Sequence, residues 1–243
     1  MKPRIDQIPL TFEYRRYLIE GMAARLRRWQ QMERNREAVL GAARRVFLER
    51  GYAGATLEAI ADEAGFSKGV VYSQFGSKAD LFFELLERRI RERAAQNAQI
   101  AATAGGPRGI RELLVTATID AGAEPGWAQL LVEFRAHAAR DAELNRRYAE
   151  VHARTVHGIT TALRQIHEAA GLTPAIPLRS MAEFVLAAAA GITLERIADP
   201  AALRDSDVIT MMTAALTRAA VDTMEGSDDD HGRAADGMGA VPL

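Results

Sequence analysis

Two glycines and three small hydroxyl residues cut residues 56–78, TLEAIADEAGFSKGVVYSQFGSK, into short helical pieces, and this punctuation constrains the chain more than any other stretch. Thr56 is placed to N-cap a first helix, its hydroxyl meeting orphan amide donors, with Glu58, Asp62 and Glu63 following near the positive helix end. Leu57, Ile60, Ala61 and Ala64 recur at helical spacing and give that helix one apolar face. Gly65 falls where a helix C-cap requires positive φ, which a residue without a Cβ adopts at least cost. Ser67 can cap a second helix whose Val70, Val71 and Phe75 supply its buried side, and Gly76 and Ser77 stop it and cap a third. Ala61 and Gly69 are small, as close helix crossing requires. The pattern is a helix–turn–helix, in which the second helix is the one that enters a DNA major groove.

The rest of the chain bounds the answer. Its 243 residues can bury a sizeable core, and Ala, Leu, Arg and Glu favour helix, with no sustained period-two alternation to suggest a sheet. The expected fold is all-α. The absence of cysteine excludes disulfides, thiolate metal sites and cysteine nucleophiles. No run of about 18 apolar residues predicts a transmembrane helix, so no membrane partner is expected. The N-terminus also lacks a signal-peptide layout, and a cytoplasmic location is expected. The formal net charge is −1, but residues 1–97 hold 18 Lys/Arg against 13 Asp/Glu, a net of +5, and the remainder holds 13 against 19, a net of −6. A basic N-terminal part and an acidic C-terminal part fit a DNA-facing domain joined to one that faces away.

The motif does not stand alone. Residues 43–47 with Gly51-Tyr52, then Ala55-Thr56, Ile60-Ala61, residues 64–69, Val71-Tyr72, Phe75 and Ser77-Lys78 together resemble the N-terminal domain of the tetracycline-repressor (TetR) family. The resemblance covers roughly 60 residues in order. It implies a three-helix helix–turn–helix domain at 32–86 and a larger helical ligand-binding and dimerisation domain at 87–225. The implied activity is that of a ligand-responsive DNA-binding regulator, most often a repressor, that occupies a near-palindromic double-stranded operator as a homodimer and is released by a small molecule.

Within 67–75 the outward positions are Ser67, Lys68, Gly69, Ser73 and Gln74, with Val70 at the boundary; these are the candidates for base or phosphate contact. Gln74 can pair bidentately with an adenine edge and Val70 can touch a thymine methyl. Tyr72 resembles the family tyrosine that contacts backbone phosphate, and Thr56 and Lys78 resemble the phosphate contacts at the first turns of their helices. Family members often have Thr where Val70 stands, and His and Tyr near Ser73 and Gln74, so the operator sequence is left open.

Residues 1–31 form a basic extension ahead of the family domain. Leu18, Met22, Leu26, Trp29 and Met32 fall three and four apart among Arg15, Arg16, Arg25, Arg27 and Arg28, the pattern of a basic amphipathic helix. It can add phosphate or minor-groove contacts, prolong the first family helix, or lie on a membrane surface. Residues 33–50 read as that first helix, with a core stripe of Val39, Ala42, Ala43, Val46 and Phe47 stopped by Gly51. A long helix from Lys78 to about residue 104 leaves the DNA-binding domain and enters the next; in the family it transmits ligand-driven movement.

Helices are expected over 110–123, 127–140, 141–170, 178–198 and 208–224, and residues 226–243 read as a disordered tail. Trp127, Leu130 and Phe134, with Glu133 and His137 in register, are the candidate ligand-cavity residues, the alternative being a plain helical core. The last two long helices are expected to pair with those of a second subunit. His137, His152, His157 and His167 lack metal-ligand spacing and are expected at the surface, and no metal or cofactor is expected. No nucleophile turn or phosphate loop is present, so the chain is not expected to be an enzyme.

Overall fold

A computed structural model describes residues 12–225, and their side chains except those of 12–19, 120–123, 125 and 218–225. Among the described residues every regular element is an α-helix: α1 (Phe12–Gly54), α2 (Leu57–Ala64), α3 (Lys68–Phe75), α4 (Lys78–Thr103), α5 (Gly106–Ala123), α6 (Pro125–Ala138), α7 (Ala142–Ala169), α8 (Leu178–Ala198) and α9 (Asp205–Glu225). The expected disordered tail, 226–243, lies outside the described residues. The chain divides into two compact units, and the division falls inside α4, between Leu85 and Leu86.

The first unit follows from its stripes and caps. Gly51, at φ 67° and ψ 173°, breaks α1 and turns the chain toward α2. Residues 12–32 prolong the first helix without interruption, and Met22, Leu26, Trp29 and Met32 of their apolar stripe are exposed. Val39, Ala42, Ala43, Val46 and Phe47 are buried, as are Leu57, Ile60 and Ala61 of α2, Val71 and Phe75 of α3, and Leu81 and Phe82 of α4. An aromatic cluster locks these helices: the Phe82 ring centroid lies 5.4 Å from Phe47 and 5.2 Å from Tyr52, both edge-on. Arg36 ties three helices together. It is paired with the Glu84 carboxylate through two nitrogens, lies 4.5 Å over the Phe75 ring, and donates to the Gln74 carbonyl at 3.3 Å.

The second unit is built on α7. Asp141 caps it by accepting from the Leu144 amide at 3.0 Å, and its buried stripe runs through Val151, Val156, Thr160, Leu163 and His167. Ile110, Val156, Leu163, Ile166, Met181 and Leu216 bring α5, α7, α8 and α9 to one core. His167 corrects the surface expectation: it is 2% exposed, because it continues the stripe seven residues beyond Thr160 and four beyond Leu163. Its Nδ1 lies 2.8 Å from the Leu163 carbonyl, an acceptor, so Nδ1 carries the proton and the buried Nε2 has no partner among the described residues.

Where α5 starts, Gly109 crosses the end of α4 and the side of α7. A Cβ there would collide with the Ala104 carbonyl oxygen and lie 3.0 Å from Ile166 Cγ2. Gly109→Ala is therefore expected to destabilise the protein by about 1–3 kcal/mol through overpacking. Gly41→Ala, whose new methyl meets only ordinary contact within α1, is expected to stabilise it slightly. Urea midpoints of the two variants check the contrast, and an unshifted midpoint for Gly109→Ala would contradict the close approach.

Candidate nucleic-acid interface and ligand cavity

Local signals build the first site. The Thr56 hydroxyl accepts from the Ala59 amide at 3.1 Å, and Gly65 adopts φ 72° as the C-cap that turns α2 into α3. Ser67 stands at the N-cap of α3 in extended backbone, its hydroxyl making no cap bond. Ser77 caps α4 reciprocally with Asp80, accepting from its amide at 3.1 Å and donating to its carboxylate at 2.5 Å. With Val71 and Phe75 turned into the core, α3 presents Ser67, Lys68, Gly69, Tyr72 and Ser73 outward, all exposed, with Val70 half-buried between the faces.

Three of the predicted contact residues are engaged in ways the sequence did not show. Gln74 is half-buried and its Oε1 is enclosed without a partner among the described residues, so it is not the freely outward side chain expected. It is adjacent to Phe75 on the helix, and the turn that buries Phe75 also draws Gln74 inward. Lys78 donates to the Tyr52 carbonyl at 2.7 Å and lies 4.5 Å over the Tyr52 ring. Its ammonium thus caps a carbonyl at the end of α1, where the helix supplies no further amide. The Ser73 hydroxyl donates to the Val70 carbonyl at 2.9 Å.

Tyr72 and Lys68 converge on a residue to which the sequence assigned only a capping role, Glu58 in the first turn of α2. The Tyr72 hydroxyl donates to Glu58 Oε1 at 3.3 Å and the Lys68 ammonium lies 3.7 Å from the same oxygen. The helix-start amide and then Lys68 hold the Glu58 carboxyl below its ordinary range, and the Glu58 charge raises the Tyr72 phenol above its own. Before any partner arrives, an acid occupies the two longest donors on the exposed face.

The second site is a partly open cavity of about 340 Å³ lined by α4–α8 and touched by Leu216 of α9. That volume suits a small organic ligand. Trp127 lines it, but Leu130 and Phe134 are buried elsewhere, and Glu133 and His137 do not reach it. Ala128, Leu131, Val132 and Arg135 form the α6 wall instead. At 100° per residue, 128, 131, 132 and 135 make one stripe, and 130, 134 and 137 belong to the next.

Among the described residues, the charged side chains on the wall are all arginines. Arg89 is paired with Glu124 at 2.5 Å and stands 5.1 Å over the Trp127 ring. Arg154 is paired with Glu87 at 2.6 Å. Arg135 lies 5.8 Å over the Tyr148 ring, which in turn stacks on His152 at 5.9 Å. Burial, opposed by the Arg135 charge, raises the Tyr148 phenol; burial and then Arg135 lower His152 and hold it neutral near pH 7. Among the described residues no group of three or more His, Asp or Glu side chains is arranged to hold a metal ion. No helix among them is long and apolar enough to cross a membrane.

Known proteins share this fold. A family model described as bacterial regulatory proteins, tetR family, matches residues 39–85, and one described as BetI-type transcriptional repressor, C-terminal, matches 107–221. The transcriptional repressor AcnR of Corynebacterium diphtheriae is 34% identical over 84 residues, 35% of this chain and 42% of that protein. The transcriptional activator FasR of Mycolicibacterium smegmatis is 43% identical over 58 residues, 24% of this chain and 26% of that one. The chain thus spans less than half the length of either relative. The fatty acid degradation regulator FadR from Bacillus halodurans superposes with a TM-score of 0.64 at 17% identity, over 75% of this chain and 94% of that one, a likeness of fold.

Proposed function

The chain belongs to the TetR family of bacterial regulatory proteins, and from that membership we propose that it is a cytoplasmic, homodimeric, sequence-specific DNA-binding repressor, released from its operator by a small molecule. It works by binding and carries out no catalysis. The observation that carries the reading is the exposed face of α3, with Ser67, Lys68, Tyr72 and Ser73 free of the core that holds Val71 and Phe75. On double-stranded DNA, Lys68, Gly69, Val70 and Ser73 face base edges; Thr56, Ser67, Tyr72 and the amide end of α4 at Lys78 face phosphates. Gln74 reaches a base only by rotating out of its pocket. A helix common to both units, α4, carries Lys78 in the first and cavity residues from Leu86 onward in the second. A ligand that favours one arrangement of the second unit by about 1–3 kcal/mol changes operator affinity roughly 5–150-fold.

The test is fluorescence anisotropy with the duplex immediately upstream of the protein's own gene, against a shuffled duplex, at two salt concentrations. Preference for the native duplex that survives the higher salt supports the reading; equal, salt-sensitive affinity for both counts against it.

Glu58 supplies a sharper prediction. In this docking its carboxylate both repels phosphate and holds Tyr72 and Lys68. Glu58→Gln is expected to raise affinity for every duplex, by about two- to fivefold at low salt. Unchanged affinity in the same anisotropy assay would remove Tyr72 and Lys68 from the interface.

A further inference from the structure

The cavity wall is unbalanced in charge. Among the described residues that line it, Arg89, Arg93, Arg135 and Arg154 bring four guanidinium groups, and none is Asp or Glu. Glu124 and Glu87, outside the lining, answer Arg89 and Arg154. Arg93 reaches the Gln96 side chain at 3.3 Å and the Thr116 carbonyl at 3.5 Å. Arg135 is half-buried and has no carboxylate partner among the described residues. Charge in such a place is normally paired, because removing it from water without a counter-ion is costly.

The aromatic faces argue in the same direction. A cationic ligand is received on the face of Trp or Tyr. Here the Trp127 face is covered by Arg89 and the Tyr148 face by Arg135. A ligand cation would have to displace an arginine from each ring and would meet the others around it. A ligand anion meets an unanswered guanidinium over the Tyr148 ring, on which the His152 ring stacks, all three on the cavity wall. The rest of that wall, Leu113, Leu114, Leu131, Ile159, Val185 and Leu186, is hydrocarbon.

We propose that the ligand of this cavity is a monoanionic amphiphile, a carboxylate on an aliphatic or aromatic body, whose headgroup is received by Arg135, with Tyr148 and His152 alongside. The planar fork of Arg135 matches a carboxylate bidentately. Tyr148 adds a donor hydroxyl, and His152, kept neutral by burial and by Arg135, adds a donor without a second charge. The proposal deepens the effector reading above and rests on it.

The test is isothermal titration calorimetry of the full chain with three probes of equal chain length, decanoate, decanol and decyltrimethylammonium, each below its micelle concentration. Decanoate is expected to bind about tenfold or more tighter than decanol, with the ammonium weakest. Arg135→Gln is expected to weaken decanoate about tenfold or more while leaving decanol within about twofold. Arg135→Lys, which keeps the charge and the packing stem, guards against a folding defect and is expected to retain part of the preference. Equal binding of decanoate and decanol, tighter binding of the ammonium, or indifference of decanoate to Arg135→Gln overturns the headgroup assignment and leaves the cavity as a ligand site. Arg135-dependent decanoate binding that leaves a preformed operator complex intact supports the ligand class and overturns the effector role. Binding of none of the three overturns both.

Discussion

Phe82→Ala is expected to destabilise the first unit by about 3–5 kcal/mol, a large share of the 5–15 kcal/mol that holds a typical domain together. The ring is fully buried, and it is the piece against which Phe47 and Tyr52 both pack, at 5.4 and 5.2 Å. Truncation leaves an aromatic-sized void at the junction of α1 and α4, and the two remaining rings cannot close it, because Phe47 is fixed by its own helix stripe and Tyr52 follows the Gly51 break. Phe82→Leu, which refills most of the volume, is expected to cost a minor part of that. Urea unfolding followed by circular dichroism reads both. DNA binding of Phe82→Ala should fail as a folding defect does, recovering toward the parent value on cooling from growth temperature to the temperature of maximum stability. A loss of binding with an unshifted unfolding midpoint would mean that Phe82 supports the interface by some route other than packing.

The helix–turn–helix was legible in the sequence because its signals are local. Thr56, Gly65, Gly76 and Ser77 each act within four residues, and each adopts the cap or turn that its chemistry favours. The stripe from Val39 to Phe47 needs only the helical period to declare itself. What failed to show was set by partners far away in sequence. Arg36 finds Glu84 across 48 residues, and Lys78 finds the Tyr52 carbonyl across 26, and nothing in the composition around either residue points to the other. Glu58 was legible as a first-turn acid but not as the residue that holds Tyr72 and Lys68, because that depends on how α3 is turned against α2.

Phase accounts for the remaining misses. The sequence placed an aromatic-rich stripe on α6, and the stripe exists, but helical periodicity fixes which residues share a face without fixing what the face looks at. The structure turns Leu130 and Phe134 into the core and gives the cavity Leu131 and Arg135. His167 shows the same limit from the other side: a polar residue at a core phase follows its neighbours inward when one nitrogen can reach a carbonyl, here that of Leu163 at 2.8 Å.

Dimerisation carries the largest expected effect on function. On α8, Phe184, Ala187, Gly191 and Leu194 are exposed and fall three, four and three apart, one seam of a helix that packs against another helix, with Ile197 exposed at its end and Met211 exposed on α9. The proposed homodimer covers these faces. Gly191 separates this reading from one in which the chain is a monomer. A Cβ added there meets nothing within 4 Å, so within a single chain Gly191→Leu is free of clash and gains helix propensity of about 1 kcal/mol. Against a second helix lying close over that glycine the same side chain cannot fit. The variant is therefore expected to unfold no more easily than the parent, yet to sediment near 26.5 kDa where the parent sediments at twice that mass. Its operator affinity is expected to fall by about 10²–10⁴, because each head then binds its half-site without the effective concentration supplied by its twin. Analytical ultracentrifugation and anisotropy on one preparation read both numbers. A Gly191→Leu protein that remains dimeric and binds its operator as the parent does would move the interface off α8, whatever the exposure of Phe184 and Leu194.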